Sequence, residues 1–387
     1  MTATQPSNRL LSLDVFRGLV IAAMILVENP GSRHYSYRQL DHASWFGATA
    51  TDMIFPAFLF MAGIAIPFAF SSRLQRGESR AKLALHILRR SVELFVLGLA
   101  INGFPVYHLH TLRIPGVLQR AAICYLCGGV LYLLATNSGA KISRRVALLA
   151  AIGFAALAIY WALLKLVPVP GIGAGHLDSY GNLPAYIDRS VFGLRHMWAY
   201  GTTPGMGVTY DPEGILSTLP SLFNTIAGIL TGEWLRSTRS DKSKALGLAL
   251  AGVGFIVVGW ALSPLMPFNK RIWTSTFSLF SAGVSLAVFA AVYAIVDLYR
   301  LRRGTTPLLI LGTNAILAYM VSNVLEILMG RHFLQHGATQ TVHNWLYDHL
   351  FTWTPLYVSS LAYAIALVAF NMLLIYPLYR KRLFVKL

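Results

Sequence analysis

The stretch DHASWFGATATDMIFPAFLFMAGIAIPFAF (residues 41–70) decides the fold, because ionisable groups lead directly into an almost wholly apolar run. Asp41, His42 and Asp52 stand at or before the start of that run. Ionisable groups are costly to keep at the mouth of a membrane helix, so these three are candidate functional groups. The other interpretation is an interfacial cluster, in which Trp45 anchors the chain at headgroup depth and His42 is simply solvated.

Composition indicates a polytopic membrane protein. Of the 387 residues, 56% are hydrophobic and 12% are charged, whereas soluble domains carry roughly 25% charged residues. The net charge of +17 could suggest a nucleic-acid partner, but the basic residues form no nucleic-acid-binding motif, so none is expected. Cys124 and Cys127 are too few for a disulfide framework, and their apolar surroundings do not suit a redox C-x-x-C motif.

Ten apolar segments approach the length of about 20 residues that crosses a bilayer core, which predicts an all-α membrane helix bundle. They are residues 11–28, 52–70, 84–102, 120–136, 146–166, 216–235, 245–262, 275–297, 307–329 and 356–376. The ninth is the weakest, because Asn314, Asn323 and Glu326 interrupt it. No soluble domain is apparent, so residues 1–387 are expected to form a single transmembrane domain.

The distribution of basic residues predicts the orientation of the bundle. Most of the 32 Lys and Arg residues fall near the N-terminus, in alternate loops and near the C-terminus, which places both termini in the cytoplasm. The segments on the opposite side are longer. The longest, residues 167–215, is rich in Gly, Pro, Tyr and Asp, and we expect it to be an ordered external loop packed over the bundle.

Polar residues from different loops gather near the predicted outer ends of the spans, which is how a site is built in a helix bundle. Outside the His42 stretch they are Asn29, Arg113, Gln119, Arg120, Asp188, Asp211, Glu213, Asn269, Lys270 and Trp273. Plainer interpretations exist. Arg113 and Arg120 could anchor lipid headgroups, the DPEG motif at 211–214 could cap a helix, and Trp273 could belong to an interfacial belt.

Two further patterns carry less information. His108 and His110 are two residues apart without a third ligand at a clear spacing, so no metal site is predicted. Asp14 and Arg17 are three apart within the first span and should pair on one helix face. That pair either positions the helix or forms part of a cytoplasmic entrance for an anionic ligand.

His42 is the best single candidate for acid–base or nucleophilic chemistry. A neutral imidazole can deprotonate an attacking amine or can itself accept an acyl group. A carboxylate that orients the ring would stabilise the imidazolium, as in a catalytic triad. Asp41 and Asp52 are both candidates for that role, and spacing does not choose between them.

Seven motifs together resemble a known family. In order they are RLLSLDVFRG (9–18), HASWFGATATDMIFPAFLFMAG (42–63), LRIPGVLQR (112–120), AYIDR (185–189), YDPEG (210–214), NKRIWT (269–274) and LGTNAILAY (311–319). They resemble the transmembrane acetyltransferase family of heparan-α-glucosaminide N-acetyltransferase over essentially the whole chain. The resemblance implies a short, prokaryotic-type member without the extra N-terminal luminal domain and first span of the animal lysosomal enzyme.

The resemblance also implies a reaction. Acetyl would pass from cytoplasmic acetyl-CoA to the amino group of a glucosamine-type sugar on the external side, with no metal. His42 matches the active-site histidine of the family and Asn29 matches its asparagine, while acetyl-histidine formation and direct attack both stay open. Arg17 and Asn314 are expected to contact acetyl-CoA, and the outer polar residues, with Trp45, to contact the sugar. A homodimer in the bacterial inner membrane is the expected setting.

A competing hypothesis is a transporter or exporter of a sugar or lipid-linked solute, without covalent chemistry. Polar residues inside the ninth span favour it. The absence of a visible internal repeat or of paired, interrupted spans argues against it.

Overall fold

The computed structural model describes residues 10–136, 141–330, 340–353 and 355–384, and these form an all-α bundle. The helices are α1 Leu11–Glu28, α2 Ile54–Gln75, α3 Arg80–Gly103, α4 Val117–Ala135, α5 Ile142–Leu166, α6 Leu183–Phe192, α7 Thr218–Leu235, α8 Asp241–Ala261, α9 Ser275–Tyr293, α10 Thr306–Thr313, α11 Ala315–Met329, α12 Val342–Leu350 and α13 Leu356–Arg380. Two of the basic residues near the termini, Arg9 and Lys386, lie outside these residues. So do residues 331–339 and 354 of the segment 330–355, which is predicted to be external.

Six helices in the described part of the chain are long and apolar enough to cross a membrane. They are Thr51–Gln75, Val117–Ala135, Ile142–Leu166, Asp241–Ala261, Ser275–Leu298 and Leu356–Arg380. The bent pair α10–α11 makes a seventh if it counts as one span. The predicted helical bundle is therefore confirmed, while the count of ten crossings and the position of the termini stay predictions.

The other three predicted spans correspond to α1, α3 and α7, and each carries ionisable or polar side chains. Asp14 lies in α1 and Glu93 in α3. In α7 most residues are buried, and it packs against α2, α4, α5 and α9. Because α7 faces other helices, its polar side chains find protein partners: the Asn224 amide donates to Ser281 Oγ at 3.1 Å.

The ninth predicted span is not one continuous helix, which corrects the prediction. Helices α10 and α11 meet at Asn314 with a bend of 86°, and Asn314 has φ −126° and ψ 43°, outside the helical region. The break lies beside α1, where a side chain at Gly312 would stand 1.9 Å from the Asp14 carbonyl oxygen. The Asn314 amide donates to the Leu383 carbonyl at 3.3 Å.

Segment 167–215 has internal structure that holds it against the bundle. It contains α6 and a short antiparallel hairpin of β1 Thr202–Thr203 and β2 Gly207–Val208. Leu183 and Val169 bury apolar surface with Tyr160 and Leu164 of α5 and with Met266. The segment is thereby attached to α5 and to the loop that precedes α9.

Candidate active site

His42 lies in the connection between α1 and α2, a stretch held by short helical turns rather than by long elements. One such turn covers Thr51–Met53 and runs directly into α2, so the residue at its centre, Asp52, is fixed to the end of a membrane helix. The carboxylate of Asp52 is 1% exposed. A buried carboxylate on a rigid element is a suitable partner for a catalytic imidazole.

Asp52 holds the His42 ring through its Nδ1 atom. The distance from Nδ1 to Asp52 Oδ1 is 2.7 Å. The other oxygen, Oδ2, accepts hydrogen bonds from the backbone nitrogens of Ala43 (3.2 Å) and Thr49 (3.0 Å) and from the Thr49 hydroxyl (3.0 Å). Since these donors fix the carboxylate, Asp52 also fixes the ring, and Nε2 faces away from it.

Asp41 has a different position. Its side chain accepts a hydrogen bond from the backbone nitrogen of His42 at 2.8 Å, and its carbonyl accepts one from the Thr49 hydroxyl at 2.7 Å. Asp41 is exposed and shapes the backbone of the loop. The geometry therefore favours Asp52 over Asp41 as the carboxylate that orients His42.

Two more charged groups approach the ring from other parts of the chain. Lys270 Nζ lies 3.3 Å from Nδ1 and 3.4 Å from Nε2 of His42. Glu28, the last residue of α1, places Oε1 3.8 Å from Nε2. Glu28 was not among the predicted site residues. The available signal was a carboxylate at the end of an apolar run, next to Asn29.

The environment of His42 acts on its basicity in opposite directions. Burial and the Lys270 ammonium disfavour the imidazolium, while the contacts with Asp52 and Glu28 favour it. The carboxylates prevail, and the pKa of His42 is raised above its ordinary value. The ring is thus a stronger base than a free imidazole. Its side chain is 32% exposed, so it is accessible from solvent.

The turn at residues 269–274 carries Lys270 to this site. Asn269 is buried, and its side-chain oxygen accepts from the Ile272 nitrogen at 3.0 Å. Trp273 adopts the left-handed conformation at φ 51° and is fully buried, with its ring nitrogen 3.3 Å from Asn224 Oδ1. Trp273 is therefore not an interfacial aromatic, and the predicted role of these two residues as substrate contacts stays untested.

Trp45 joins segment 167–215 to the His42 stretch. Its indole nitrogen donates to the Leu177 carbonyl at 2.8 Å, and its ring meets that of Tyr210 at 5.0 Å between centroids. Arg271 in turn bonds to the Tyr210 hydroxyl. Trp45 thus makes contacts within the fold, with Leu177 and with Tyr210 of the YDPEG motif, and its predicted contact with the sugar stays a prediction.

Arg113, Asp211 and Glu213 form one ion cluster. Arg113 donates to both oxygens of Asp211, at 2.9 and 2.7 Å, and to Glu213 at 2.6 Å. Although burial opposes the charge, the two carboxylates raise the pKa of Arg113. The DPEG motif does not cap α7, which begins at Thr218, so the capping interpretation is wrong and the motif binds Arg113 instead.

Arg120 and Gln119 lie deeper, inside the bundle. Arg120 is 1% exposed, contacts the Gly214 carbonyl and the Ser217 hydroxyl, and stacks 5.0 Å from the Trp273 ring. It cannot be a headgroup anchor because it does not reach the surface. The Gln119 amide is buried against Gly98.

Asp188 belongs to the same buried region. Its Oδ1 accepts from the Ile215 nitrogen at 2.9 Å, and the residue is 1% exposed. Burial raises the pKa of Asp188 to about 7, and the nearby Asp211 charge contributes. The carboxylate thus fastens α6 to the chain before α7.

The remaining predicted residues, Asn29, Arg17 and Asn314, have partners other than the His42 ring. Asn29 is buried and its amide donates to the Ile25 carbonyl at 2.9 Å, so it ends α1 just after Glu28. Arg17 pairs with Asp14 at 3.2 Å, confirming that ion pair. Both Arg17 and Asn314 lie near the other end of α1. No group of three or more His, Cys, Asp or Glu side chains within the described ranges could hold a metal ion.

Comparison with known proteins identifies the family. The family described as heparan-alpha-glucosaminide N-acetyltransferase, catalytic, matches residues 9–250. The chain belongs to this family. Among curated relatives, heparan-alpha-glucosaminide N-acetyltransferase of Mus musculus is 30% identical over 365 residues, and that of Homo sapiens is 30% identical over 362 residues.

These alignments cover 84% and 82% of this chain but 55% and 53% of the relatives, so the chain spans about half of their length. The family match includes Glu28, His42 and Asp52 and ends before Lys270. Membership in the heparan-alpha-glucosaminide N-acetyltransferase family confirms the resemblance drawn from the seven motifs and identifies an N-acetyltransferase family.

Proposed function

We propose that this chain is a transmembrane N-acetyltransferase that moves acetyl from cytoplasmic acetyl-CoA to the amino group of a glucosamine-type sugar on the external side. The observation that carries the proposal is the partly exposed His42 imidazole, held at Nδ1 by buried Asp52. That arrangement matches what a general base or an acyl-accepting imidazole requires. Family membership supports the reaction class.

In the proposed reaction, the acceptor nitrogen forms a bond to the thioester carbonyl carbon, and the carbon–sulfur bond of the donor breaks. His42 Nε2 takes the proton from the attacking amine while Asp52 stabilises the imidazolium. In the two-step alternative, Nε2 itself accepts acetyl and then passes it to the amine. Lys270, beside the ring, supplies positive charge near the developing oxyanion in either route.

The proposed setting follows from charge and composition. Ten crossings would place both termini and the basic loops in the cytoplasm, where they would attract the phosphates of acetyl-CoA. Arg17 and Asn314, near the basic side of α1, are proposed to face the donor. Segment 167–215 would cover the acceptor side, and a homodimer in the bacterial inner membrane is the proposed assembly.

The test is acetyl transfer from radiolabelled acetyl-CoA to glucosamine by purified protein, wild type beside His42→Ala. We expect the alanine variant to lose transfer while it keeps the folded elution profile of the wild type. Label that stays on the protein without acceptor would favour the two-step route. An alanine variant that transfers acetyl at the normal rate would exclude His42 as the catalyst.

A transporter is the second candidate, and the broken helix at Asn314 favours it. Discontinuous membrane helices line the substrate sites of many transporters. Uptake of an amino sugar into proteoliposomes without acetyl-CoA would support that function. Uptake or product formation that requires acetyl-CoA would support the enzyme.

A further inference from the structure

The His42 ring lies between two carboxylates that come from different elements. Asp52 Oδ1 is 2.7 Å from Nδ1, and Glu28 Oε1 is 3.8 Å from Nε2. Because Asp52 occupies Nδ1, a proton taken up during the reaction must arrive at Nε2. Among the described residues, Glu28 is the carboxylate within 4 Å of that atom.

Glu28 stands where a carboxylate is electrostatically unfavourable. It is the last residue of α1, and the dipole at a helix C-terminus disfavours a negative charge. Cations offset this cost, since Lys270 and Arg33 both interact with Glu28. A carboxylate in an electrostatically unfavourable position beside a candidate catalytic group indicates that the residue has a functional role.

The two carboxylates differ in their access to solvent. Asp52 is 1% exposed, whereas the Glu28 side chain is 46% exposed. Arg33, whose side chain is 68% exposed, interacts with the Glu28 charge and lies 3.9 Å from Glu326. Asp52 can orient the ring but is poorly placed to release a proton, while Glu28 links Nε2 to the surface.

We infer that Glu28 is a proton-relay carboxylate for His42, which accepts the proton from Nε2 and releases it to solvent. The inference rests on the proposed role of His42, through which Glu28 would act as a positioning residue. Acetylation of a protonated amine releases two protons as the carbon–nitrogen bond forms and the carbon–sulfur bond breaks. One ends on the thiol of CoA, and the other leaves through Nε2 and Glu28.

The test compares Glu28→Gln with Glu28→Asp and with a matched control, Glu78→Gln, whose carboxylate pairs with Arg73 in the turn between α2 and α3. Glutamine keeps the size of the side chain and removes its charge, so the imidazolium loses a counter-charge and its pKa falls. Neutral His42 then persists to lower pH. The charged groups that still face the ring are Asp52 and Lys270, and neither changes in these variants.

Two measurements are made on each variant: the NMR titration of His42, assigned by its loss in His42→Ala, and the pH dependence of kcat. For Glu28→Gln we expect both the titration and the acid limb of kcat to move down by about one pH unit. The plateau of kcat should fall roughly tenfold, because a partner of the base is lost. KM for acetyl-CoA should stay constant, Glu28→Asp should regain most of the shift, and Glu78→Gln should match the wild type.

A His42 titration that does not move in Glu28→Gln would overturn the inference alone. A titration that moves while the acid limb and plateau of kcat stay in place would overturn the relay. An active His42→Ala protein would overturn the proposed function as well, so the two failures are distinguishable.

Discussion

At the residue scale, the site depends on which carboxylate the ring of His42 meets. Asp41 and Asp52 are the same type of residue, and both lie close to His42 in the sequence. Asp52 reaches Nδ1 because the turn Thr51–Met53 aims it back at the loop, whereas Asp41 bonds the backbone of His42. A carboxylate at Nδ1 favours the tautomer with the proton on that atom, which makes Nε2 the nitrogen able to act as a base.

Asp52→Asn should reduce acetyl transfer by roughly 10²- to 10⁴-fold, because an amide can hold the ring in the wrong tautomer and cannot stabilise the imidazolium. Asp41→Asn is the matched control, since it should keep the backbone contact and change turnover by less than about twofold. The measurement is kcat at saturating acetyl-CoA and acceptor. Equal losses in both variants would contradict the assignment.

At the scale of elements, buried groups attach segment 167–215 to the bundle. Asp188 in α6 bonds the backbone at Ile215, and Trp45 bonds the backbone at Leu177. Both residues were predicted to contact substrate. Their hydrogen bonds join chain segments, and the predicted contacts with substrate stay predictions.

The buried Asp188 carboxyl predicts a pH-dependent stability. Its folded-state pKa is about 7, above the ordinary value of 3.8, so the folded chain holds the proton more tightly than the unfolded chain. Stability from this group is full below the ordinary pKa and is lost as pH rises towards 7. The difference in Tm between Asp188→Asn and the wild type should therefore grow by about 3 °C or more, in favour of the variant, as the pH rises from 5 to 8.

Thermal unfolding in detergent at the two pH values measures this difference, and Asp178→Asn, at an exposed carboxylate of the same segment, serves as the control. A gap in Tm that does not widen with pH would contradict the buried, protonated state. A higher KM for the acceptor in Asp188→Asn would instead return the residue to a substrate-binding role.

Helices α2 and α7 approach each other through glycines. A side chain at Gly63 would stand 2.1 Å from the Thr225 carbonyl oxygen, and one at Gly228 would stand 2.0 Å from that of Phe60. Gly63→Ala should force the helices apart and cost about 1–3 kcal/mol of stability, because these backbone atoms cannot give way locally.

The control is Gly254→Ala in α8, where no atom lies within 4 Å of the added carbon. It should be neutral or stabilise the helix by about 0.5–1 kcal/mol. Thermal unfolding in detergent compares the two variants. Equal stability of both variants would contradict the close approach of α2 and α7 at Gly63.

At the scale of the whole molecule, the proposed reaction would have donor and acceptor on opposite sides of the membrane. The basic loop between α7 and α8 and segment 167–215 should therefore face different compartments. A Cys124→Ser, Cys127→Ser background with Thr238→Cys or Tyr200→Cys tests this, since Thr238 and Tyr200 are both exposed. In intact cells an impermeant maleimide should label the Tyr200→Cys protein and spare the Thr238→Cys protein.

Both introduced cysteines should react once the cells are permeabilised. Labelling of the Thr238→Cys protein in intact cells would reverse the orientation. Labelling of both cysteines in intact cells would remove α7 from the set of crossing helices.

Local pattern was enough to determine the helical bundle and the principal ionisable residues. Apolar runs of span length predict α2, α5 and α9 closely, because lipid requires every backbone group to bond within its own helix. His42 and Asp52 stand out for a related reason, since charge beside such a run is costly. The seven motifs were sufficient to recognise the family from the sequence.

Tertiary contacts decided the rest. Asn314 is one of three polar residues that interrupt the ninth predicted span in the sequence, but only the structure shows that the chain bends there, beside Asp14 in α1. Glu28 became part of the site only because the fold returns the 41–53 connection and Lys270 to the end of α1. Those contacts join residues that are far apart in sequence. The strength of a charge–charge interaction depends on the distance between the charges in space, and the number of residues between them in the sequence does not determine that distance.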